Sequence, residues 1–391
     1  MHTYVADNRE KTVETGDLIN AIQKATGKNL AQFFDQWVFR AGHPEYTVRT
    51  WWDARKKEAN VRVVQAHTTN TETGLFAMPL EFEFYTVQGK RRFKETLEKK
   101  SQLFSFRLPS EPTLVLFDPD HWILKKVDFQ KSETSWGLQL SEDPHVLGRA
   151  QAAQALGRSG SAAAVKVLEQ ALFKETFWGV QSEIALALAS LRTPEAVEVL
   201  MRAHRLLKHP KARRGLLTAL GDLRDGVVRS RLKSTFRSEA SYFAEAQALK
   251  SLGRTGDVWL LSAFSELMGR ESWNDVLRCG ALEAVSALRP PNLVALLKKY
   301  TAWGHHQNLR MTAIHCLTQA GGDVQKILLG LISDPYLLVQ LSAVKALSKV
   351  GDERIVPALE KLIKEPLDGR LKRTVEEVLR KIKKSIEEEK K

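Results

Sequence analysis

Val339-Gln340-Leu341-Ser342-Ala343-Val344-Lys345-Ala346-Leu347 decides how the larger part of this 391-residue chain is read. Its apolar residues stand three and four apart, which places them on one face of a helix. The closing pair, a small residue followed by Leu, returns throughout the C-terminal two thirds. It stands at Ala155-Leu156, Ala187-Leu188, Ala219-Leu220, Ala248-Leu249, Ala284-Val285, Cys316-Leu317, Ala346-Leu347 and Val378-Leu379. The intervals are 32, 32, 29, 36, 32, 30 and 32 residues. Eight units on one period predict a helical-hairpin solenoid, in which each unit buries its apolar face only against the next. Ala lets neighbouring helices approach, and Leu or Val fills the space between layers. Gly157, Gly253, Gly321 and Gly351 are read as helix stops. Asp143, Asp275 and Asp334 stand where they can cap the second helix of a hairpin.

Upstream of the repeats the pattern is different. Leu18, Ile19 and Ile22 share a helical face after Thr15, and Gly27 stops that helix. Asn29 is placed to cap a second helix bearing Leu30, Phe33, Phe34, Trp37 and Val38, which Gly42 and Pro44 end. Two short helices cannot bury that aromatic surface alone and must pack on something larger. From Tyr46 to Phe129 the period becomes two: Tyr46, Val48 and Thr50 alternate with Thr47, Arg49 and Trp51, and Leu80, Phe82 and Phe84 with Glu81, Glu83 and Tyr85. Gln88-Gly89-Lys90 reads as a hairpin turn, and Pro109 and Pro112 break the later strands. Short strands between turn signals predict a small antiparallel sandwich. Lys131 to Gln139 is polar and reads as a linker.

Composition narrows the class. With 43% hydrophobic and 27% charged residues the chain is not a disordered one. No stretch reaches ~18 consecutive apolar residues, so no transmembrane segment is expected. The first residues lack the apolar core of a signal peptide, so the expected compartment is cytoplasmic, although an upstream segment would carry any such signal. Cys279 and Cys316 make no disulfide framework. The formal net charge is +13. Residues 1–140 hold 20 Lys+Arg against 18 Asp+Glu and the rest 39 against 28, so the excess lies in the repeats. A basic half suits an acidic partner, an anionic surface or nucleic acid, and equally plain solubility.

The repeats resemble short HEAT repeats, whose second helix reads D-x-x-V-R-x-x-A-x-x-A-L. Residues 339–347 follow this with Gln for Arg, and Arg149, Arg213, Arg278 and Arg310 fill the cationic place in four other units. The resemblance covers about 141–388 and implies a curved scaffold with a concave face.

A second resemblance lies upstream. Val13-Glu14-Thr15-Gly16-Asp17-Leu18, Thr26-Gly27-Lys28-Asn29-Leu30, Phe33-Phe34-Asp35-Gln36-Trp37-Val38 and Gly42-His43-Pro44-Glu45-Tyr46 come in an order similar to the end of the catalytic domain in zinc aminopeptidases of the aminopeptidase N family. There a β-sandwich follows, and Trp52-Asp53, 61–65 and Asp118-Pro119-Asp120-His121-Trp122-Ile123-Leu124-Lys125 fit it. A helical superhelix comes next in that family, closing over the catalytic chamber and limiting which peptides enter.

The family's chemistry is missing. It needs HExxH and a downstream Glu to hold zinc, with the Glu of HExxH as general base. None of the ten His stands four residues before another, and the Gly-x-Met-Glu-Asn segment that binds the substrate's amino terminus is absent. Tyr4 and Tyr46 do not inherit the transition-state role, which belongs upstream of the matched stretch. No catalytic residue and no metal ligand is assigned; zinc is implied only for a catalytic domain in the same or another chain.

Other clusters are weighed against plainer roles. His305, His306, His315 and Cys316 lack a nearby carboxylate, and Cys316 holds a buried repeat position, so no metal is expected there. The repeated arginines serve the repeat's own packing or line a groove for a peptide or protein; nucleic acid is the weaker partner. Arg213 and Arg214, with Lys211 beside them, form the densest basic cluster, and Arg278 and Arg310 complete the partner-binding candidates. Lys90-Arg91-Arg92-Phe93-Lys94 reads as a charge-protected edge strand, Lys381 to Lys391 as a solvated end, and one of Trp51 and Trp52 as core.

The expected architecture is mainly α with a small β domain. Residues 1–44 form the helical remnant of a peptidase catalytic domain, 45–130 the β-sandwich, 131–140 a linker and 141–388 the HEAT-like α-solenoid. The functional expectation is the non-catalytic C-terminal portion of a zinc aminopeptidase, inactive alone. The alternative is a stand-alone scaffold that binds a protein on its basic concave face.

Overall fold

Glu14 and Asp17 form a reciprocal capping box, each side chain bonding the other's end of the first turn. That starts helix α2 (Thr15–Thr26), after a short α1 (His2–Asp7), and Gly27 ends it in the left-handed conformation. The Asn29 side chain accepts from the Ala31 amide at 2.8 Å, opening α3 (Ala31–Phe34), which runs on as one π-helical turn, Asp35–Phe39. Trp37 packs on Phe76 at 5.1 Å between ring centroids, and Gln36 accepts from the Ala77 amide, so this segment is fastened to the β domain. Only part of its apolar face is covered: Phe34 is buried, whereas Phe33, Val38 and Phe39 remain exposed.

Strands β1 (Glu45–Asp53), β2 (Glu58–Gln65), β3 (Met78–Thr86), β4 (Gly89–Leu97), β5 (Ser101–Arg107), β6 (Leu114–Phe117) and β7 (Lys126–Phe129) build two sheets, ordered β5-β2-β1-β7 and β4-β3-β6. The alternation read from sequence is the alternation of burial: Val48, Val61, Val63, Leu80, Phe82 and Phe84 all point inward. Phe82 sits 5.2 Å from both Phe104 and Phe106, in a core of interlocked rings. Trp52 joins this core and Trp51 faces out. One pairing departs from the expected antiparallel plan, because β7 runs parallel to β1. The connecting loop makes this reversal. Asp118, left-handed at φ 48°, accepts from the amides of Trp122 and Ile123 and pairs with Lys125 in the interior. The basic run 90–94 lies on edge strand β4, where Arg92 meets Glu81 and Asp120.

The 131–140 linker is a helix instead. In α4 (Glu133–Glu142) the Ser132 hydroxyl caps the Ser135 amide at 3.1 Å, Leu140 is buried, and Gln139 donates to the Gly148 carbonyl. Its polar composition hid a real buried face. α4 is the first helix of the first hairpin and pairs with α5 (Val146–Ser159). The following hairpins are α6 (Ala162–Lys174) with α7 (Trp178–Leu191), α8 (Pro194–Leu206) with α9 (Pro210–Leu220), and α10 (Gly226–Ser238) with α11 (Tyr242–Thr255). Then come α12 (Trp259–Gly269) with α13 (Val276–Leu288), α14 (Leu293–Thr301) with α15 (Gln307–Ala320), α16 (Gln325–Leu329) with α17 (Leu337–Val350), and α18 (Val356–Leu362) with α19 (Gly369–Glu389).

Every repeated apolar pair falls in the second helix of a hairpin, and all are buried except the partly covered Ala155. These second helices stack on one another in parallel, one repeat out of step. A Cβ on Gly157 would lie 2.8 Å from the Cα of Ala187, and one on Gly253 2.3 Å from the Ala284 carbonyl oxygen. These two glycines are therefore contact points inside helices, not stops; Gly321 and Gly351 do end theirs. Asp143 and Asp334 accept from the amides of His145 and Tyr336 just ahead of the second helix. Asp275 makes no cap bond, its carboxylate being taken by Arg278, and the Ser272 hydroxyl receives the Leu277 amide in its place.

This computed structural model describes residues 1–389, so Lys390 and Lys391 of the expected solvated end lie outside the described residues. The chain divides into two compact units at Ala155/Leu156. Among the described residues no helix is long and apolar enough to cross a membrane.

Candidate functional site

Arg310 enters from the first turns of α15, is 1% exposed, and meets Asp334 with both terminal nitrogens. Its Nε donates to the Thr301 carbonyl at 2.8 Å, satisfying the C-terminal end of α14. Arg213 does the same three layers away, in α9: a bidentate pair with Glu239 (2.9 and 2.7 Å) and bonds to the Leu207 and Lys208 carbonyls that end α8. Arg278 pairs with Asp275 at 3.1 Å and donates to the Met268 carbonyl at 2.8 Å. Arg149 donates to the Asp143 and Pro144 carbonyls. In these four units a guanidinium thus binds carbonyls at the end of the preceding helix or in the loop after it, and Arg213 and Arg310 also tie down the next loop. The arginines named from sequence do not converge on a common groove, and these four are spent within the chain.

Lys211 and Arg214 are placed differently, exposed in the first turns of α9. The Lys211 ammonium lies 4.8 Å over Trp178, which stacks on His209 at 6.0 Å. Arg214 has no ionic partner among the described residues. The histidines are separated by role: His306 Nδ1 accepts from the Asn308 amide, His305 packs on Tyr300, and His315 meets Gln319. Both thiols are buried, and burial pushes Cys316 up to about 11, the opposite of a nucleophile's need. Among the described residues no three His, Cys, Asp or Glu are grouped to hold a metal. The described residues do not fit a catalytic zinc.

Two surfaces escaped the sequence reading. Near the C-terminal ends of α7, α9 and α11 a cleft of about 1220 Å³ is lined by Arg192, Arg224 and Arg254 against Glu198, Asp222 and Asp225. Three cations face three carboxylates, so it is not an anion trap. At the opposite ends of the stacked helices, exposed aromatic rings appear in five of the eight hairpins, at Phe177, Tyr242, Trp273, Trp303 and Tyr336. Their signal was legible: each stands at the start of a repeated helix or within four residues before it.

The HEAT repeats family pattern matches residues 135–221 and 290–380, a little under half of the chain. A curated relative, transcription initiation factor TFIID subunit 2 of Drosophila melanogaster, is 22% identical over 210 residues, 46% of this chain and 17% of that protein. Among solved structures, the Legionella pneumophila aminopeptidase A, crystallised with aspartic acid, matches 97% of this chain with a TM-score of 0.64 and 13% identity. This chain spans about half of that one, 53% of its length, and at such identity the likeness concerns the fold. The chain carries HEAT repeats behind a β-sandwich, on a fold that it shares with an aminopeptidase.

Proposed function

We propose that this chain is the non-catalytic portion of an aminopeptidase-like protein, with its solenoid restricting access of peptides to a chamber built by a separate zinc domain. The fold likeness to the Legionella aminopeptidase over 97% of the chain carries this reading. The uncovered Phe33, Val38 and Phe39 support it, since an apolar face on a helical segment asks for a neighbour. The test is immunopurification from the native cells with an antibody to the repeats. On this reading the purified protein is larger than 44.1 kDa, yields HExxH on peptide mapping, and releases amino acids from aminoacyl-coumarins until a zinc chelator is added. An inactive protein at the mass of this chain overturns it.

A scaffold that holds a protein partner is the second reading. It is favoured by the alignment with a protein named as a subunit of a multiprotein transcription factor. On this reading the same purification yields a stoichiometric companion and no peptidase activity.

A further inference from the structure

The solenoid exposes its aromatic residues on one side. Phe177, Tyr242, Phe243, Trp273, Trp303 and Tyr336 are all exposed, and all stand at or just before the start of a second helix. Because those helices stack in parallel, these positions share one edge. On the other edge the exposed large apolar side chains among the described residues are the aliphatic Val227, Val258 and Leu261.

The rings are held in place. Trp303 stacks on Tyr336 at 5.0 Å and 19°, one repeat apart, with the buried Arg310 guanidinium 5.8 Å from the Trp303 ring. Trp273 is 66% exposed beside Asn274 and Asp275, consecutive residues in the left-handed region (φ 53° and 56°). Such backbone costs about 1–3 kcal/mol per residue and is tolerated where surrounding structure enforces it. Pre-ordered rings lose little freedom on contact, which suits them to recognition.

Charge selects the partner. Three acidic side chains on this edge are occupied inside the chain, Glu239 by Arg213, Asp275 by Arg278 and Asp334 by Arg310, whereas Glu271, 3.9 Å from Arg278, stays 90% exposed. Lys208, Arg214 and Lys298 have no carboxylate partner among the described residues, and Lys211 rests on Trp178. The edge therefore presents exposed aromatic rings in the second hairpin and in the fourth to seventh, and uncompensated cations in the third and sixth. A nucleic-acid strand would need cations along its whole path.

We propose that this edge docks an extended acidic segment of a partner protein, its apolar side chains on the rings and its carboxylates on Lys208, Lys211 and Arg214. The inference needs no zinc domain and stands whether or not the chain belongs to a peptidase.

Selection of a displayed library of random 16-residue peptides on the full chain tests it. The expected winners are net acidic with interspersed aromatic or aliphatic residues. Their affinity should fall at least about tenfold on W273S/W303S, as for loss of central aromatic anchors, and likewise on K208E/K211E/R214E. V227S/V258S on the other edge should bind as the parent does, and circular dichroism should show every variant folded. Winners without acidic bias, winners that bind the variants undiminished, or an empty selection would overturn the proposal. Tighter binding of a dT16 oligonucleotide than of the best peptide would replace it with a nucleic-acid surface.

Discussion

At the scale of single residues the repeated arginine is the most informative position. Sequence spacing identified it, and two uses were open: ligand contact or internal packing. Burial decides for packing, because a guanidinium 1% exposed, bonded to Thr301 and paired with Asp334, is closed to an outside ligand. Arg310→Ala should lower stability in urea unfolding by about 3–5 kcal/mol, since it strands the buried Asp334 charge. Arg310→Met with Asp334→Leu should recover most of that loss. His121 supplies a pH dependence. Burial, then the charges of Lys125 and His145, push it from 6.5 down to about 4. Between those values the unfolded chain takes up a proton that the folded chain refuses, so the sandwich unit loses stability as pH falls through that window. Melting between pH 7 and 4.5 should show a smaller loss for His121→Asn, a residue that also suits the left-handed backbone there (φ 54°). An unchanged slope would exclude this group as its source.

At the scale of elements, periodicity located the stacked helices and misjudged what sits between them. Gly157 and Gly253 looked like punctuation because glycine usually ends helices; only the neighbouring helix reveals that they are contacts. Gly253→Ala drives a Cβ into the Ala284 backbone. It should cost about 1–3 kcal/mol of overpacking, exceeding the roughly 1 kcal/mol that Ala gains as a helix former. Gly269, in α12, faces open space, and Gly269→Ala should be neutral or stabilising in the same titration. The 131–140 helix was missed for a related reason. Its buried face is supplied largely by Gln139 and Leu140, and a satisfied glutamine leaves no hydrophobic stripe to read.

At the scale of the whole chain, the solenoid's helices touch mainly their neighbours, so its stability is a sum of local terms and its ends have half the support. Hydrogen exchange under native conditions should find α18 and α19 opening well before α11 and α13, which are packed on both sides. Uniform protection would instead mean one cooperative block. The sequence by itself determined the repeat, its register, the two-residue period of the sandwich and the lack of HExxH, because these follow from side-chain spacing along the backbone. Tertiary structure alone decided which glycines are contacts, that β7 returns parallel to β1, and that the arginines are consumed internally. It also decided that the aromatic residues of five loops line one edge. The glycine contacts and the β1–β7 pairing join residues 30 or more positions apart, and Arg310 reaches Asp334 across 24, and no local pattern encodes such a meeting.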